Sequence, residues 1–115
     1  MLLSDEQKLE VKFSAQKELT KNYPLTANEN RQILKQMLDL AIENGVRPIL
    51  LICPTARIYC ENLPNQAKKE FLDIISNLQK DYEFQFLNMF DSPLFQDSDF
   101  FNPSHLNIKG SIKLS

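Results

Sequence analysis

Residues 49–53, Ile-Leu-Leu-Ile-Cys, form an unbroken apolar run between Pro48 and Pro54. A short run of this kind, bounded by turn-forming residues, is typical of a strand that is buried on both faces in a parallel sheet. A second strand is predicted over 83–88, and a helical pattern over 65–80 separates the two. We therefore expect a βαβ unit with parallel strands and a right-handed crossover.

The helix ahead of the first strand has the clearest periodicity in the chain. Thr26 followed three residues later by Glu29 is a capping-box pattern, and Gly45 supplies the left-handed conformation that ends a helix. Between them the apolar residues fall on one face at 3.6-residue spacing: Ile33, Leu34, Met37, Leu38, Ala41 and Ile42. The pattern predicts an amphipathic helix over 26–44.

The beginning of the chain has a weaker pattern. Residues 4–23 start with a suitable N-cap, Ser4, and are predicted as a helix that Asn22-Tyr23-Pro24 ends. Leu9, Val11 and Phe13 also alternate as in a strand, so a third strand remains an alternative.

The order of these elements predicts the fold class. We expect a single, small α/β domain over residues 1–115, layered, with a short parallel sheet flanked by helices. Within it, 1–25 form an N-terminal helical segment and 26–115 the α/β region. A loop is predicted between Pro54 and Pro64, a longer one follows the second strand, and Asn107 is expected to cap a last helix from Ile108.

Charge and composition exclude several classes of partner. Thirteen Lys and Arg against 15 Asp and Glu give a net charge of −2, which offers no electrostatic attraction for nucleic acid or anionic lipid. No apolar run approaches the length of a membrane span, so no membrane segment is expected and the chain as given is expected in the cytoplasm.

No cofactor and no metal ion are predicted. Two Cys and one His, far apart, do not form a zinc site, and Asp91, Asp97 and Asp99 do not have the spacing of a calcium loop. Cys53 ends the first strand and is interpreted as a small buried side chain.

The candidate site lies after the second strand, where ligands bind in open α/β sheets. The only histidine, His105, belongs to the pattern Asn102-x-x-His105-Leu106-Asn107-x-x-Gly110. This pattern resembles the C-terminal block of SGNH/GDSL-type hydrolases, in which Asp-x-x-His carries two members of a Ser-His-Asp triad. The resemblance covers residues 26–115 in element order, and the last twenty residues carry the motif.

The resemblance implies ester hydrolysis or acyl transfer, with a saccharide or acyl ester as ligand. His105 would be the general base, because imidazole titrates near neutral pH, and a group on its other nitrogen would set its tautomer. Asn102 occupies the position of the family's aspartate. Asp99 or Asp97, from the same loop, could replace it, and the sequence leaves that choice open.

Three departures from the family pattern predict an inactive chain. Asn102 brings no negative charge, and the equivalent exchange costs about 10⁴ in turnover in serine proteases. The family's Gly-Asp-Ser nucleophile block is absent, and no oxyanion block is found. Ser104 is not expected to be the nucleophile, because adjacent residues rarely orient their side chains into one hydrogen bond. We therefore expect either the C-terminal half of such a fold or a degenerate relative of these esterases and acyltransferases, inactive alone in both cases. A full-length relative could be membrane-anchored or extracytoplasmic.

The alternative function is a non-enzymatic interaction module. The aspartate- and Phe-rich loop 89–104 could dock a protein partner, or the short sheet could pair with another chain or a second copy. Arg57 and Tyr59 lie after the first strand and are interpreted as surface loop residues.

Overall fold

The computed structural model describes residues 1–20 and 24–115, so the predicted break at Asn22 and Tyr23 lies outside the described residues. This part of the chain has mixed α/β structure with five α-helices. The elements are α1 (Asp5–Gln16), α2 (Pro24–Glu43), β1 (Ile49–Ile52), α3 (Arg57–Asn62), α4 (Asn65–Asp81), β2 (Gln85–Asn88), β3 (Phe100–Asn102), β4 (His105–Leu106) and α5 (Ile108–Leu114), with short 3₁₀ turns at Glu18–Thr20 and Asp97–Asp99.

The central sheet consists of β1 and β2, which pair in parallel with Ile49 opposite Gln85 and Ile52 opposite Asn88. α4 connects the two strands, so the predicted βαβ unit and the α/β class are confirmed. β3 and β4 form a separate antiparallel hairpin near the end of the chain.

The expectation that the first strand is buried on both faces is wrong. Ile49 and Leu51 are 57% and 45% exposed, and Leu87 on the same face of β2 is also exposed. Leu50 and Ile52, which point to the other face, are half-buried. An apolar run bounded by prolines specifies a strand, but only neighbouring layers can bury it, and the described residues leave this face without cover.

The N-terminal segment is a helix, so the alternative of a third strand there is wrong. The Ser4 hydroxyl accepts a hydrogen bond from the Gln7 amide at 3.2 Å, and the Gln7 side chain accepts one from the Ser4 amide at 2.9 Å. This reciprocal cap satisfies two amide groups that the first turn would otherwise leave unpaired. α1 then packs against α3, where the buried side chains are small: Ala15, Ala56 and Cys60.

α3 lies inside the region 54–63, which the sequence predicted as a loop. It is only six residues long and ends at Asn62, just before Leu63 and Pro64. The residue before a proline avoids the helical conformation, which explains this end. A helix this short gains little from its own hydrogen bonds, so packing against α1 is what stabilises it.

The long helix α2 begins two residues earlier than predicted. Its first residue is Pro24, a favourable first helical position, so Thr26 lies within the helix and does not cap it. The predicted end is confirmed, since Gly45 has φ +69°. The amide of Gly45 donates to the carbonyl of Ile42 and that of Val46 to the carbonyl of Ala41, which is the Schellman arrangement.

The buried core is small for a chain of this length. Its hydrophobic members are Ala15, Leu38, Ala56, Cys60, Ile75, Leu78 and Phe100. Many large apolar side chains remain exposed on α2, β1 and α5. Among the described helices, none combines the length and the apolar character that crossing a bilayer requires.

Candidate functional site

The segments that follow the two parallel strands meet the β3–β4 hairpin. The Thr55 amide, after β1, donates to the carbonyl of Phe90, after β2, at 3.1 Å. The next amide, that of Ala56, donates to the carbonyl of Pro103 in the hairpin turn at 2.8 Å. These two bonds hold the turn that precedes His105 at the carboxyl ends of the strands, where the sequence predicted the site.

The hairpin brings Asn102 and His105 together. They are opposite each other in the antiparallel pair β3–β4, and Pro103 and Ser104 form the connection. Asn102 Oδ1 lies 2.9 Å from His105 Nδ1. Of the three candidates for orienting the imidazole, Asn102 is therefore the one that contacts it.

The hydrogen bonds around Asn102 determine the tautomer of His105. The backbone amide of Ser104 can only donate, and it lies 3.1 Å from Asn102 Oδ1, so this atom must be the carbonyl oxygen of the side chain. A carbonyl oxygen only accepts, so His105 must donate from Nδ1. In the neutral ring the lone pair is then on Nε2, which has no hydrogen-bond partner among residues 1–20 and 24–115.

Ser104 lies closer to the imidazole than expected. Its Oγ is 3.2 Å from His105 Nδ1 and 3.3 Å from Asn102 Oδ1, so the two adjacent side chains do share one hydrogen-bonded cluster. Because Nδ1 already carries the proton donated to Asn102, the Ser104 hydroxyl donates to Asn102 as well. The hydroxyl cannot pass its proton to Nδ1, so Ser104 does not have the position of a nucleophile, whose hydroxyl would donate a hydrogen bond to Nε2. Its hydrogen bond instead holds Asn102, the residue that orients the imidazole.

Asp99 does not reach the imidazole. Its side chain is fully buried, Oδ2 accepts hydrogen bonds from the Gln96 amide at 2.9 Å and from Lys113 Nζ, and Lys109 Nζ lies 3.6 Å from Oδ1. The Gln96 amide, then Lys113 and Lys109, lower the pKa of this carboxyl. Asp97, the other alternative, has an exposed side chain, and its carbonyl accepts a bond from the N-terminal amine.

Asn107 and Gly110 fix α5 against the loop that precedes the hairpin. The side-chain oxygen Oδ1 of Asn107 caps α5, as predicted, by accepting a hydrogen bond from the Gly110 amide at 3.0 Å. The backbone amide of Asn107 donates to the backbone carbonyl of Asp99 at 2.9 Å. A Cβ on Gly110 would overlap that same carbonyl oxygen and would lie 2.8 Å from Leu106 Cδ2. Close packing therefore requires glycine at this position.

Sequence reasoning missed the two lysines that neutralise Asp99. Lys109 and Lys113 occur four residues apart on α5, which was a visible signal for one shared anionic partner, since such residues lie on one helical face. The buried aspartate itself could not be recognised, because acidic loop residues are usually exposed.

The remaining polar residues singled out from the sequence have hydrogen-bond or ion-pair partners outside the His105 cluster. Arg57 Nε forms an ion pair with Glu61 at 2.5 Å, and the Tyr59 hydroxyl donates to Glu18 at 3.1 Å. Cys53 is exposed, so its interpretation as a buried side chain is wrong.

Cys60 is the buried thiol of the described chain, and it lies 2.9 Å from Thr55 Oγ1. Burial raises the pKa of this thiol, which keeps it protonated and unreactive. Within the described ranges, no group of three or more His, Cys, Asp or Glu side chains is arranged to hold a metal ion.

Comparisons of the chain with protein-family models, with curated proteins and with solved structures gave no match. The interpretation of the His105 cluster therefore depends on the motif and on the geometry described above.

We predict that Gly110→Ala lowers the free energy of unfolding by about 1–3 kcal/mol, because the added methyl group meets backbone that cannot move without shifting the hairpin. Urea denaturation measures this change. Ser111→Ala, at an exposed position one residue further along α5, is the control and should change stability by only about 0.5 kcal/mol or less. Equal losses in both variants would contradict the close packing of Gly110.

We predict that Asp99 contributes stability that is lost in acid. Since the folded state lowers the pKa of Asp99 below the ordinary value of 3.8, the contribution is complete at pH values well above 3.8. It is lost progressively as the pH falls below 3.8 towards the lower pKa of the folded state. Asp99→Asn should be less stable than the wild type at pH 7, and the difference should shrink below pH 4. Urea denaturation at several pH values measures both.

Asp97→Asn, which removes an exposed carboxylate from the same turn, is the matched control and should have little effect on stability at pH 7. A deficit of Asp99→Asn that stays constant from pH 7 to pH 3 would show that the charge of Asp99 does not stabilise the fold.

Proposed function

We propose that this chain supplies the general base of an acyl-transfer site of the SGNH-hydrolase type, with a saccharide or another acyl ester as substrate class. One observation carries the proposal: Asn102 holds the imidazole of His105 through Nδ1 and leaves the Nε2 lone pair without a partner among the described residues. A general base for a serine nucleophile needs this arrangement, with the orienting group on one nitrogen and the proton acceptor on the other.

The chemistry of such a site follows from the tautomer. Nε2 accepts the proton of an attacking hydroxyl as its oxygen adds to the ester carbonyl carbon, and the resulting imidazolium returns a proton to the leaving group. Asn102 keeps the ring in position but adds no negative charge to stabilise the imidazolium. The ring is therefore oriented, and the charge that it gains during the reaction has no carboxylate partner.

The hydroxyl itself must come from elsewhere. Ser104, the serine that contacts the imidazole, lies on the Nδ1 side. We therefore propose that the described residues form the base-bearing part of a site whose nucleophile another segment or chain provides, and that they do not turn over esters alone.

An interaction module remains the second proposal. Leu94, in the loop 89–104, is 64% exposed, and Phe101 at the start of the hairpin is 76% exposed. Large apolar side chains that are exposed on neighbouring segments suit a protein-binding surface.

We expect the neutral imidazole of His105 to carry its proton on Nδ1. Long-range ¹H–¹⁵N correlation spectra measure the tautomer directly, and a single histidine makes the assignment unambiguous. Asn102→Ala should reduce the Nδ1–H population, because it removes the acceptor.

Ser104→Ala is the control for this measurement. It removes only a neighbouring donor and should keep the Nδ1–H tautomer. If Nε2–H dominates in the wild type, the imidazole is not oriented as a base and the proposal fails.

We expect the isolated chain to hydrolyse p-nitrophenyl acetate no faster than free imidazole at the same concentration, because no described hydroxyl bonds to Nε2. Release of p-nitrophenolate measures the rate. Wild-type turnover that both His105→Ala and Ser104→Ala abolish would show a complete site within this chain and would contradict the proposed division of the machinery.

A further inference from the structure

The described residues leave two apolar surfaces uncovered. The first, the helix stripe, runs along α2 and consists of Ile33, Met37 and Leu40. The second, the sheet face, consists of Ile49, Leu51 and Leu87 on one side of the parallel sheet.

The helix stripe is half of a wider apolar arc. Leu34, Leu38 and Ala41 lie beside it on α2 and are buried or half-buried within their own chain, Leu38 being only 2% exposed. Met37, by contrast, is 62% exposed. α2 can therefore contact its own chain along one stripe and another surface along the other at the same time.

The sheet face requires a helix as its cover. Parallel sheets occur almost only with both faces covered by helices, because the crossover connections between parallel strands place helices there. α2 has 20 residues and at 1.5 Å per residue is about 30 Å long, which is ample to cross two strands of four residues each.

The chain as a whole exposes enough surface to supply the interface of a stable dimer. The chain exposes 8540 Å², about 2,000 Å² more than a compact monomer of 13.4 kDa. Its radius of gyration is 16.1 Å, against about 13 Å for a compact domain of this length. An excess of about 2,000 Å² lies within the share that one subunit buries in an obligate dimer, about 1,000–2,500 Å².

We propose that the cover is a second copy of this chain. The helix stripe of each copy lies on the sheet face of the other, so both surfaces are buried twice in one two-fold interface. A reciprocal contact of this kind closes on itself and forms a dimer, with no open surface for further copies. Both partners of the contact are present on one chain, and for this reason the observations favour a second copy over an unrelated protein. The proposal does not depend on the role of His105.

Sedimentation equilibrium of the full chain between about 1 and 100 μM tests the proposal. The expected result is a dimer of twice 13.4 kDa, with a melting temperature that rises with protein concentration. Met37→Glu and Leu51→Glu should each weaken dimerisation by at least about tenfold, because each places a charge in the apolar contact.

The control is Gln32→Glu, which adds the same charge to an exposed position on the opposite side of α2 and should leave the dimer intact. Circular dichroism verifies folding of the variants, whose substituted side chains are exposed. A monomer at all concentrations, larger open assemblies, or a dimer that neither Met37→Glu nor Leu51→Glu weakens would each overturn the proposal.

Discussion

The candidate site depends on the hydrogen bonds and the ion pair that the buried Asp99 carboxylate forms. The carboxylate accepts a hydrogen bond from the backbone amide of Gln96 and forms an ion pair with Lys113 of α5. The backbone carbonyl of Asp99 accepts a hydrogen bond from the backbone amide of Asn107. A buried charge without partners would cost far more than the loop could supply, so the ion pair and the backbone bonds must form together. Through them, the 3₁₀ turn, the hairpin and α5 become one unit.

That unit explains why His105 has a definite orientation although it is exposed. Gly110 lets α5 approach the Asp99 carbonyl, and Pro103 is tied to Ala56 after the first parallel strand. Asn102 then presents its oxygen to Nδ1 from the opposite strand of the hairpin. These hydrogen bonds orient the imidazole, and a defined orientation is a condition for any role in proton transfer.

The hairpin and α5 are joined by hydrogen bonds, whereas the helix stripe and the sheet face are apolar and exposed. An arc of α2 and a face of the β1–β2 sheet expose apolar side chains, whereas both faces of a parallel sheet are usually covered by helices. The proposed base needs a hydroxyl from elsewhere, and the proposed dimer needs a second copy. The first proposal depends on the hydrogen bond between Asn102 and His105, and the second depends on the exposed apolar side chains.

Local patterns predicted the elements well, and they failed where burial mattered. The apolar run at 49–53, the periodicity of α2 and α4, the Gly45 terminus and the Asn107 cap are visible in sequence because each depends on neighbours a few residues away. α3 was missed because its stability comes from packing against α1.

The sequence by itself determined the order and type of most elements and placed Asn102 within reach of His105, because a three-residue spacing in a tight hairpin is a local constraint. Only the tertiary structure decided between Asn102 and Asp99 at the imidazole and left the β1 face exposed. Both outcomes depend on contacts between segments that are distant in sequence. Lys113 forms an ion pair with Asp99 and so holds it away from the imidazole, and no described helix packs over Ile49 and Leu51.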